Sequence, residues 1–534
     1  MTVTSSVPPS SAAPAPSAPR ADVRPLLPLW AAVIAAAASG ALLTLAFPAL
    51  SVWVAAFPAV GLLLTALIGR RTWSSLLVGF AFGATFFLIL VGWTGRYLGP
   101  IPWLALGIFE GVLTAVGLVP LTLAYRWIPR VVRSGYARSL VVAAVVAALW
   151  IGRELFVGNW PYGGFPWARI GYALSETPPA RVTSWVGISG LGFLMILLVA
   201  LLVELLRSGR SFRPVVAIAP VALVAVLAFL PAFPTTPVGT MRIGAVQGNG
   251  PTGYFDTREP LAVIGAQMQA TAPLYGEKMD LLVWPEGSLD GDPFRSSTLA
   301  QGLDRVTARV GAPLLANAAT AKGERFYNTS FLWPEDAPAA LGRDDVQTHA
   351  KRHPVPFGEY VPNREFFNAL VPDLIGLIGR EYTPGDDAPV MKVGERTIGL
   401  AICFDVIYDD VIREGIGGGA EVLVFQTNNA DFRGTVENLQ QLGIARMRAI
   451  ETGRSVVNIS TVGTSQIIRP DGSTVATLNE DRPGAMLEDV ELRTGATAGV
   501  VIGPGLEQGL LWGGLLVLVG AGVLSRLRRR TRRG

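Results

Sequence analysis

Eight apolar runs constrain this chain more than any other feature of its sequence. They lie at residues 29–47, 52–68, 74–93, 104–125, 140–151, 184–206, 214–230 and 510–524. A helix needs about 20 residues to cross a hydrocarbon layer about 30 Å thick. Inside lipid every backbone N–H and C=O must be bonded within the element, so apolar runs of this length fold as helices. The expectation is an integral membrane helical bundle with about eight transmembrane helices. Composition agrees, since half of the residues are apolar and 16% are charged, a balance found in membrane proteins.

The arginines orient such a bundle. Arg70 and Arg71 follow the second run, Arg126, Arg130, Arg133 and Arg138 the fourth, and Arg207, Arg210 and Arg213 the sixth. The basic stretch RLRRRTRR at 526–533 follows the last, whereas the first loop is uncharged and the third carries only Arg96. Positive charge gathers on the cytoplasmic side, which puts both ends of the chain there and the large polar insert outside. The formal net charge of +4 therefore reads as membrane orientation and lipid anchoring, and no nucleic-acid partner is expected. Residues 1–25, rich in Pro, Ala and Ser, cannot bury enough surface to order themselves and read as a disordered cytoplasmic tail. Arg20 and Arg24 ahead of small apolar residues would also suit a cleaved signal peptide. The run continues to Phe47, however, which favours a retained span. The expected organisation is the tail at 1–25, seven helices within 26–235, a domain at 240–495, an eighth helix at 505–525, and a basic tail at 526–534.

In the insert the pattern changes to short apolar runs separated by helical periodicity. MRIGAVQ, DLLVW, PLLANAA, TSFLW, TIGLAIC and EVLVFQ are strand-length and bounded by turn-forming residues,. Leu439, Leu442, Ile444, Ala445, Met447 and Ile450 recur at helical spacing, and RPDG at 469–472 predicts a tight turn between SQIIR and STVATL,. Strands alternating with helices predict an α/β domain.

Cys403 is the sole cysteine. It ends the apolar run TIGLAIC and precedes Phe404 and Asp405, and the carboxyl end of a strand is where α/β sheets present reactive groups. A lone cysteine is also often a small core residue. A thiol needs help to ionise, since its unperturbed pKa is about 8.5, and His349 and His353 could supply it. Their spacing suits a helix, but Pro354 and Pro356 prevent one,, and no nearby ligand set completes a metal site. Glu286 ends the run LLVW at 281–284, and Lys351 and Glu359 flank a proline-rich loop. Singly, each could be a solvated surface charge. Together, a carboxylate, an ammonium and a thiol can supply a base, an oxyanion stabiliser and a nucleophile. GPGLEQG at 503–509 lacks the spacing of a dinucleotide loop, and no cofactor is expected.

WPEGS, HAKRHPVPFGEYVP and ICFD, in this order, resemble the Glu-Lys-Cys constellation of the nitrilase superfamily. GALLTLAFPA, GGFPWARIGYAL, VQGN, the loop at 351–362 and IARMRAIETGR are similar to segments of the apolipoprotein N-acyltransferase family, over nearly the whole chain after the tail. The resemblance implies an αββα sandwich outside the bacterial plasma membrane. It further implies a ping-pong transfer of an acyl chain from a phospholipid to the N-terminal amine of an S-diacylglyceryl-cysteine lipoprotein. Cys403 would be the nucleophile, Glu286 the general base, Lys351 the stabilising cation, and Glu359 a further acidic group. The family often has an aromatic hydroxyl and a Glu after the cysteine, where this chain has Phe404 and Asp405. TNNADFRGTVENLQQ likewise replaces a segment that often carries Trp and His. Residues 160–172, with their Trp and Tyr, are expected at headgroup depth. Arg153 and Glu154 would either meet lipid headgroups or satisfy each other. Two other readings remain at this level: a membrane-tethered amidase with the same three residues, and a transporter or lipid binder whose outer domain is inactive. Few charges within the runs speak against an ion pathway.

Overall fold

The computed structural model describes residues 23–207, 214–336 and 342–531. Most of the expected tail, together with Arg210, Arg213 and the last three residues, lies outside them. The first part of the chain is helical, with α1 (Leu29–Thr44), α2 (Ala56–Leu67), α3 (Thr72–Leu90), a single turn α4 (Gly95–Leu98), α5 (Pro100–Val131), α6 (Gly135–Val157), α7 (Thr183–Arg207) and α8 (Pro214–Phe229). After the α/β domain the chain returns in α15 (Ala498–Arg530). Among the described residues, five helices are long and apolar enough to cross a membrane, namely Thr72–Leu90, Pro100–Val131, Gly135–Val157, Pro178–Arg207 and Ala498–Arg528. Leu29–Thr44, Trp53–Leu67 and Ala217–Phe229 are apolar but shorter. Each expected run thus lies on a helix, and three of the helices reach well past their runs. The fourth extends to Pro100–Val131. The fifth extends to Gly135–Val157. The last begins at Ala498, ahead of the expected 505, so all of GPGLEQG is helical.

Small residues decide how these helices meet. A Cβ on Gly83 of α3 would sit 2.7 Å from the Thr114 Cβ, and one on Gly111 of α5 2.9 Å from the Ala84 N. Backbones approach this closely only without side chains between them, the means by which helices associate when no hydrophobic effect drives them together. Arg153 and Glu154 satisfy each other: Arg153 Nη2 lies 3.3 Å from Glu154 Oε1, and both are buried. Arg153 also donates to Thr114 Oγ1 at 3.0 Å, and Glu154 accepts from Trp150 Nε1 at 2.8 Å. Around the loop that follows, Trp160 and Tyr162 are exposed, but residues 166–174 are buried beneath the α/β domain. Only the first part of that stretch is therefore free to meet headgroups.

The α/β domain holds two six-stranded sheets. One has the order β12-β1-β2-β3-β4-β5, with β1 (Thr236–Gln247), β2 (Leu281–Val283), β3 (Leu314–Lys322), β4 (Arg325–Trp333), β5 (Thr348–Ala350) and β12 (Gly484–Thr494). The other has the order β11-β10-β9-β8-β7-β6, with β6 (Val390–Val393), β7 (Arg396–Ile402), β8 (Val422–Thr427), β9 (Val456–Ser460), β10 (Ser465–Ile468) and β11 (Thr474–Leu478). RPDG joins β10 to β11, as its turn chemistry predicts. In each sheet three central strands are parallel, β1-β2-β3 and β7-β8-β9. Such strands are buried on both faces and need near-continuous apolar sequence, which β8 (VLVFQT) has, with every residue buried.

Between the sheets lie Ile243, Leu281, Val283, Ile398, Val424 and Val457. The outer face of the first sheet is covered by α9 (Ala262–Thr271) and α10 (Ser297–Val310), through Ile264, Leu303 and Val306. Two short helices, α11 (Arg364–Leu370) and α12 (Pro372–Gly376), pack in a small apolar cluster of their own with Val361, Ile375 and Ile378. The outer face of the second sheet is covered by α13 (Asp409–Gly417) and α14 (Glu437–Thr452). This last layer does not end at solvent, because Val411, Ile412, Leu442, Met447 and Ile450 share one continuous apolar core with the membrane-type helices. The layers are therefore helix, sheet, sheet, helix and helical bundle.

Gly83→Val should force α3 from α5 and cost about 1–3 kcal/mol, the usual price of overpacking, read as a lower thermal unfolding midpoint in detergent. Gly505→Ala on α15, where a Cβ meets nothing within 4 Å, should leave the midpoint unchanged or slightly higher.

Candidate active site

The carboxyl ends of the parallel strands converge on one edge of the sandwich, and the chemistry-bearing residues lie there. Glu286 follows β2, Lys351 follows β5, and Cys403 follows β7. All three, with Glu359, line one cavity of about 730 Å³, whose wall also includes Tyr97 of α4 and Phe432. Cys403 has a φ of 50°, a left-handed conformation costly for a residue with a side chain. It turns the chain abruptly from β7 into a 3-10 turn, Cys403–Ile407, and leaves the thiol partly exposed at the cavity.

Lys351 is buried, with Nζ 3.2 Å from Glu286 Oε1 and 2.8 Å from Glu359 Oε2. Asn328 of β4 donates to Glu286 Oε1 at 2.6 Å and to Glu359 Oε1 at 3.1 Å. Its orientation is fixed in turn, because Asn317 Nδ2 donates to Asn328 Oδ1 at 2.9 Å. Asn317 also accepts from the Gly287 amide at 2.8 Å, which pins the loop carrying Glu286. The Val355 amide donates to Glu359 Oε2 at 2.7 Å, so Glu359 is held by its own loop.

The charges follow from burial and proximity. Burial raises the Glu286 carboxyl above the ordinary carboxylate range, Lys351 opposes that shift, and Glu359 adds to it. For Lys351, burial alone would favour the neutral amine. Glu286 and Glu359 outweigh it and hold the ammonium well above its usual range. Burial also pushes the Cys403 thiol well up, Glu286 reinforces the shift, and Lys351 opposes it. The resting arrangement is therefore a neutral thiol, a permanent cation, and a carboxylate poised closer to neutrality than usual, which suits a base that must also return its proton.

The residues after the cysteine have different duties. Phe404 is buried and stacks on Phe165 of the loop after α6, with centroids 6.2 Å apart, and meets Tyr408 at 5.4 Å. Asp405, fully buried, accepts from the amides of His353 at 2.8 Å, Arg352 at 3.2 Å and Ile402 at 3.4 Å. It ties the turn of Cys403 to the loop of Lys351. The two histidines do other things. His349 Nδ1 sits 3.3 Å from Asp387 inside the domain, whereas His353 stacks on Tyr408 at 3.8 Å with Nε2 3.0 Å from Asp410. Among the described residues no group of three or more His, Cys, Asp or Glu side chains is arranged to hold a metal ion.

Several site residues escape sequence reasoning. Asn328 sits in a strand, and its only signal is a polar side chain ahead of the apolar run SFLW. Gln426 of β8 donates to Trp284 O at 2.6 Å and accepts from Ser330 at 2.5 Å, joining the two sheets beneath the cavity. Gln441 of α14 donates to Cys403 Sγ at 3.5 Å. Arg448, on the same helix and fully buried, donates to Val406 O and Ile407 O at 2.9 Å and holds the far end of the cysteine turn.

Residues 39–201 match the apolipoprotein N-acyltransferase N-terminal domain, and residues 242–498 match the carbon-nitrogen hydrolase domain. The chain belongs to the apolipoprotein N-acyltransferase family. The family member of Mycolicibacterium smegmatis is 29% identical over 91% of this chain and 84% of its own length. That of Azotobacter vinelandii is 28% identical over 88% and 91%. A solved structure, the CN-hydrolase superfamily protein of Xanthomonas campestris, is 17% identical and covers 51% of this chain and 97% of its own, with a TM-score of 0.35.

Lys351→Met should leave the buried Glu286 and the half-buried Glu359 without their cation, a loss of about 3–5 kcal/mol that lowers the thermal midpoint markedly. Cys403→Ala removes one partly exposed thiol, and the same measurement should show little change.

Proposed function

We propose that this protein transfers an acyl chain from a phospholipid to the N-terminal amine of S-diacylglyceryl-cysteine on lipoproteins, by a ping-pong route through a thioester on Cys403. The observation that carries the reading is one cavity that holds Glu286, Lys351 and Cys403 and shares its wall with a turn of the helical bundle, at Tyr97. Family membership supports it.

In the first half, Glu286 takes the thiol proton as sulfur attacks the ester carbonyl of the phospholipid. Lys351 stabilises the oxyanion, a contribution of roughly 3–4 kcal/mol for a well-placed donor. The tetrahedral intermediate collapses with loss of the C–O bond, and Glu286 returns the proton to the lysophospholipid oxygen. In the second half, the lipoprotein amine attacks the thioester carbonyl while Glu286 accepts a proton from nitrogen. The C–S bond breaks, and the proton passes back to sulfur. A thioester divides one difficult transfer into two easier ones, and the buried Phe404 on Phe165 keeps water from the side of the acyl-enzyme. No cofactor enters this scheme.

The eight apolar helices are read as eight crossings of the bacterial plasma membrane, with the domain at 240–495 on the extracytoplasmic face and both ends cytoplasmic. The distribution of arginines between alternate loops supports that orientation,. Donor and acceptor would then share one leaflet with the cavity, which raises their effective concentration.

Incubated with phospholipid vesicles and no acceptor, the wild-type protein should gain the mass of one acyl chain, labile to hydroxylamine and transferable to a diacylated lipopeptide. Cys403→Ala should gain none. A folded wild type that takes up no acyl chain yet hydrolyses small amides would sink the transferase reading in favour of a tethered amidase. In the pH profile of acyl-enzyme formation, the acid limb should lie above the ordinary carboxylate range, because Glu286 must be ionised to act and its pKa is raised. Glu359→Gln removes a charge that raises it, so the limb should move to lower pH.

A further inference from the structure

Glu437 is a buried carboxyl that the proposed mechanism does not use, and it belongs to a row of amides that ends at the nucleophile. Asn429 Nδ2 donates to Glu437 Oε2 at 2.7 Å and to Gln441 Oε1 at 3.0 Å. On its other side, Asn429 Oδ1 accepts from Ser460 Oγ at 2.5 Å. Gln441 Nε2 then lies 3.5 Å from Cys403 Sγ. Asn429, Glu437 and Gln441 are all buried.

The row has a self-consistent orientation. The Asn429 NH₂ faces Glu437 and Gln441, and its oxygen faces the Ser460 hydroxyl. The Gln441 oxygen accepts from Asn429, which leaves its NH₂ to face the sulfur,. We propose that Gln441 is a catalytic residue whose N–H stabilises the Cys403 thiolate as it forms, and that Asn429 and Glu437 are positioning residues that keep this amide donor-side toward sulfur. This inference rests on Cys403 being the nucleophile.

The surroundings make the donor worth having. Burial and the neighbouring Glu286 both oppose ionisation of the thiol, and Lys351 is committed to two carboxylates. A hydrogen bond to a charged sulfur is one of the stronger kinds. Burial pushes Glu437 up to about 8, so near neutrality it is mostly protonated, still accepts through one oxygen, and sets no full negative charge beside the sulfur. Gln440, the preceding residue, is engaged elsewhere. It accepts from Trp93 Nε1 at 3.1 Å and Trp167 Nε1 at 2.7 Å.

Because Cys403 is the sole cysteine, alkylation of the full-length protein by iodoacetamide reports on it alone. The rate at pH 8, followed by intact mass, should fall about tenfold or more in Gln441→Leu. Asn429→Leu should slow it comparably, and the double variant should be no slower than the worse single, as for residues acting in series. Gln440→Leu should lower the thermal midpoint but leave the alkylation rate of folded protein unchanged. Should the leucine variant not fold, Gln441→Met keeps the unbranched shape, removes the N–H donor without adding charge, and should show the same slowing. Wild-type alkylation in folded Gln441 variants, or losses that multiply in the double variant, would overturn the relay. Iodoacetamide needs no lipid, so slowed alkylation in these variants beside a wild type that never takes up an acyl chain would leave the relay standing and remove the phospholipid reading.

Discussion

The guanidinium of Arg448 sets the terms for the rest of the structure. It is fully buried, and a buried cation costs several kcal/mol unless its hydrogen bonds and charge are answered. Here they are answered by the carbonyls of Val406 and Ile407, by Asp409 at 2.7 Å and by Glu451 at 2.7 Å. Asp409 in turn pairs with Arg169, from the loop after α6, at 2.8 Å. Glu507 on α15 pairs with Arg413 of α13 at 2.8 Å. Burial would raise the Asp409 carboxyl, but Arg169, Arg448 and Arg413 hold it well below its usual range. Each charge is tolerable only because the next is present, so the cysteine turn, α13, α14, the loop after α6 and α15 hold one another in place.

That arrangement explains why the site stands at the junction of domain and bundle. The apolar core beneath α13 and α14 runs without interruption into the membrane-type helices, and Gln440 is locked to Trp93 and Trp167 from the bundle side. One residue further along α14, Gln441 reaches the sulfur. A single helix thus touches the bundle through one amide and the Cys403 sulfur through the next. The cavity takes its rigid side from the sheets and its aromatic side from Tyr97 and Phe432.

The sequence announced elements whose pattern is long or whose residue type is rare. Apolar runs mark all the membrane-type helices because lipid admits no other use of them, and strand-length runs with turn chemistry mark β7, β8, β10 and β11. Cys403, Glu286 and Lys351 stood out because each lies near the end of an apolar stretch or a strand. Asn328, Gln441 and Arg448 did not stand out. Each is one polar residue in an element whose exposed face would carry such residues anyway, and its meaning comes from partners distant in sequence. The reach of α6 to Gly135 and of α15 back to Ala498 was hidden for a related reason. Glycine, serine and charged residues interrupt the apolar pattern there, while packing against neighbouring helices keeps the backbone helical.

Asp405 shows how a residue next to the proposed nucleophile can matter without acting on substrate. Its oxygens are occupied by the amides of Ile402, Arg352 and His353, so neither is disposed to serve as a base at the cavity. Those three amides belong to the strand before Cys403 and to the loop after Lys351. The carboxylate therefore sets the separation between the chain that presents the sulfur and the chain that presents the ammonium. In the proposed mechanism oxyanion stabilisation depends on that separation, since a cation aimed at the developing charge contributes only where the charge appears. A longer carboxylate could make the same three bonds only by moving one of the two chains. With Phe404 packed on Phe165 instead of offering a hydroxyl, the turn after Cys403 is wholly structural, and in the proposed mechanism the proton chemistry falls to Glu286.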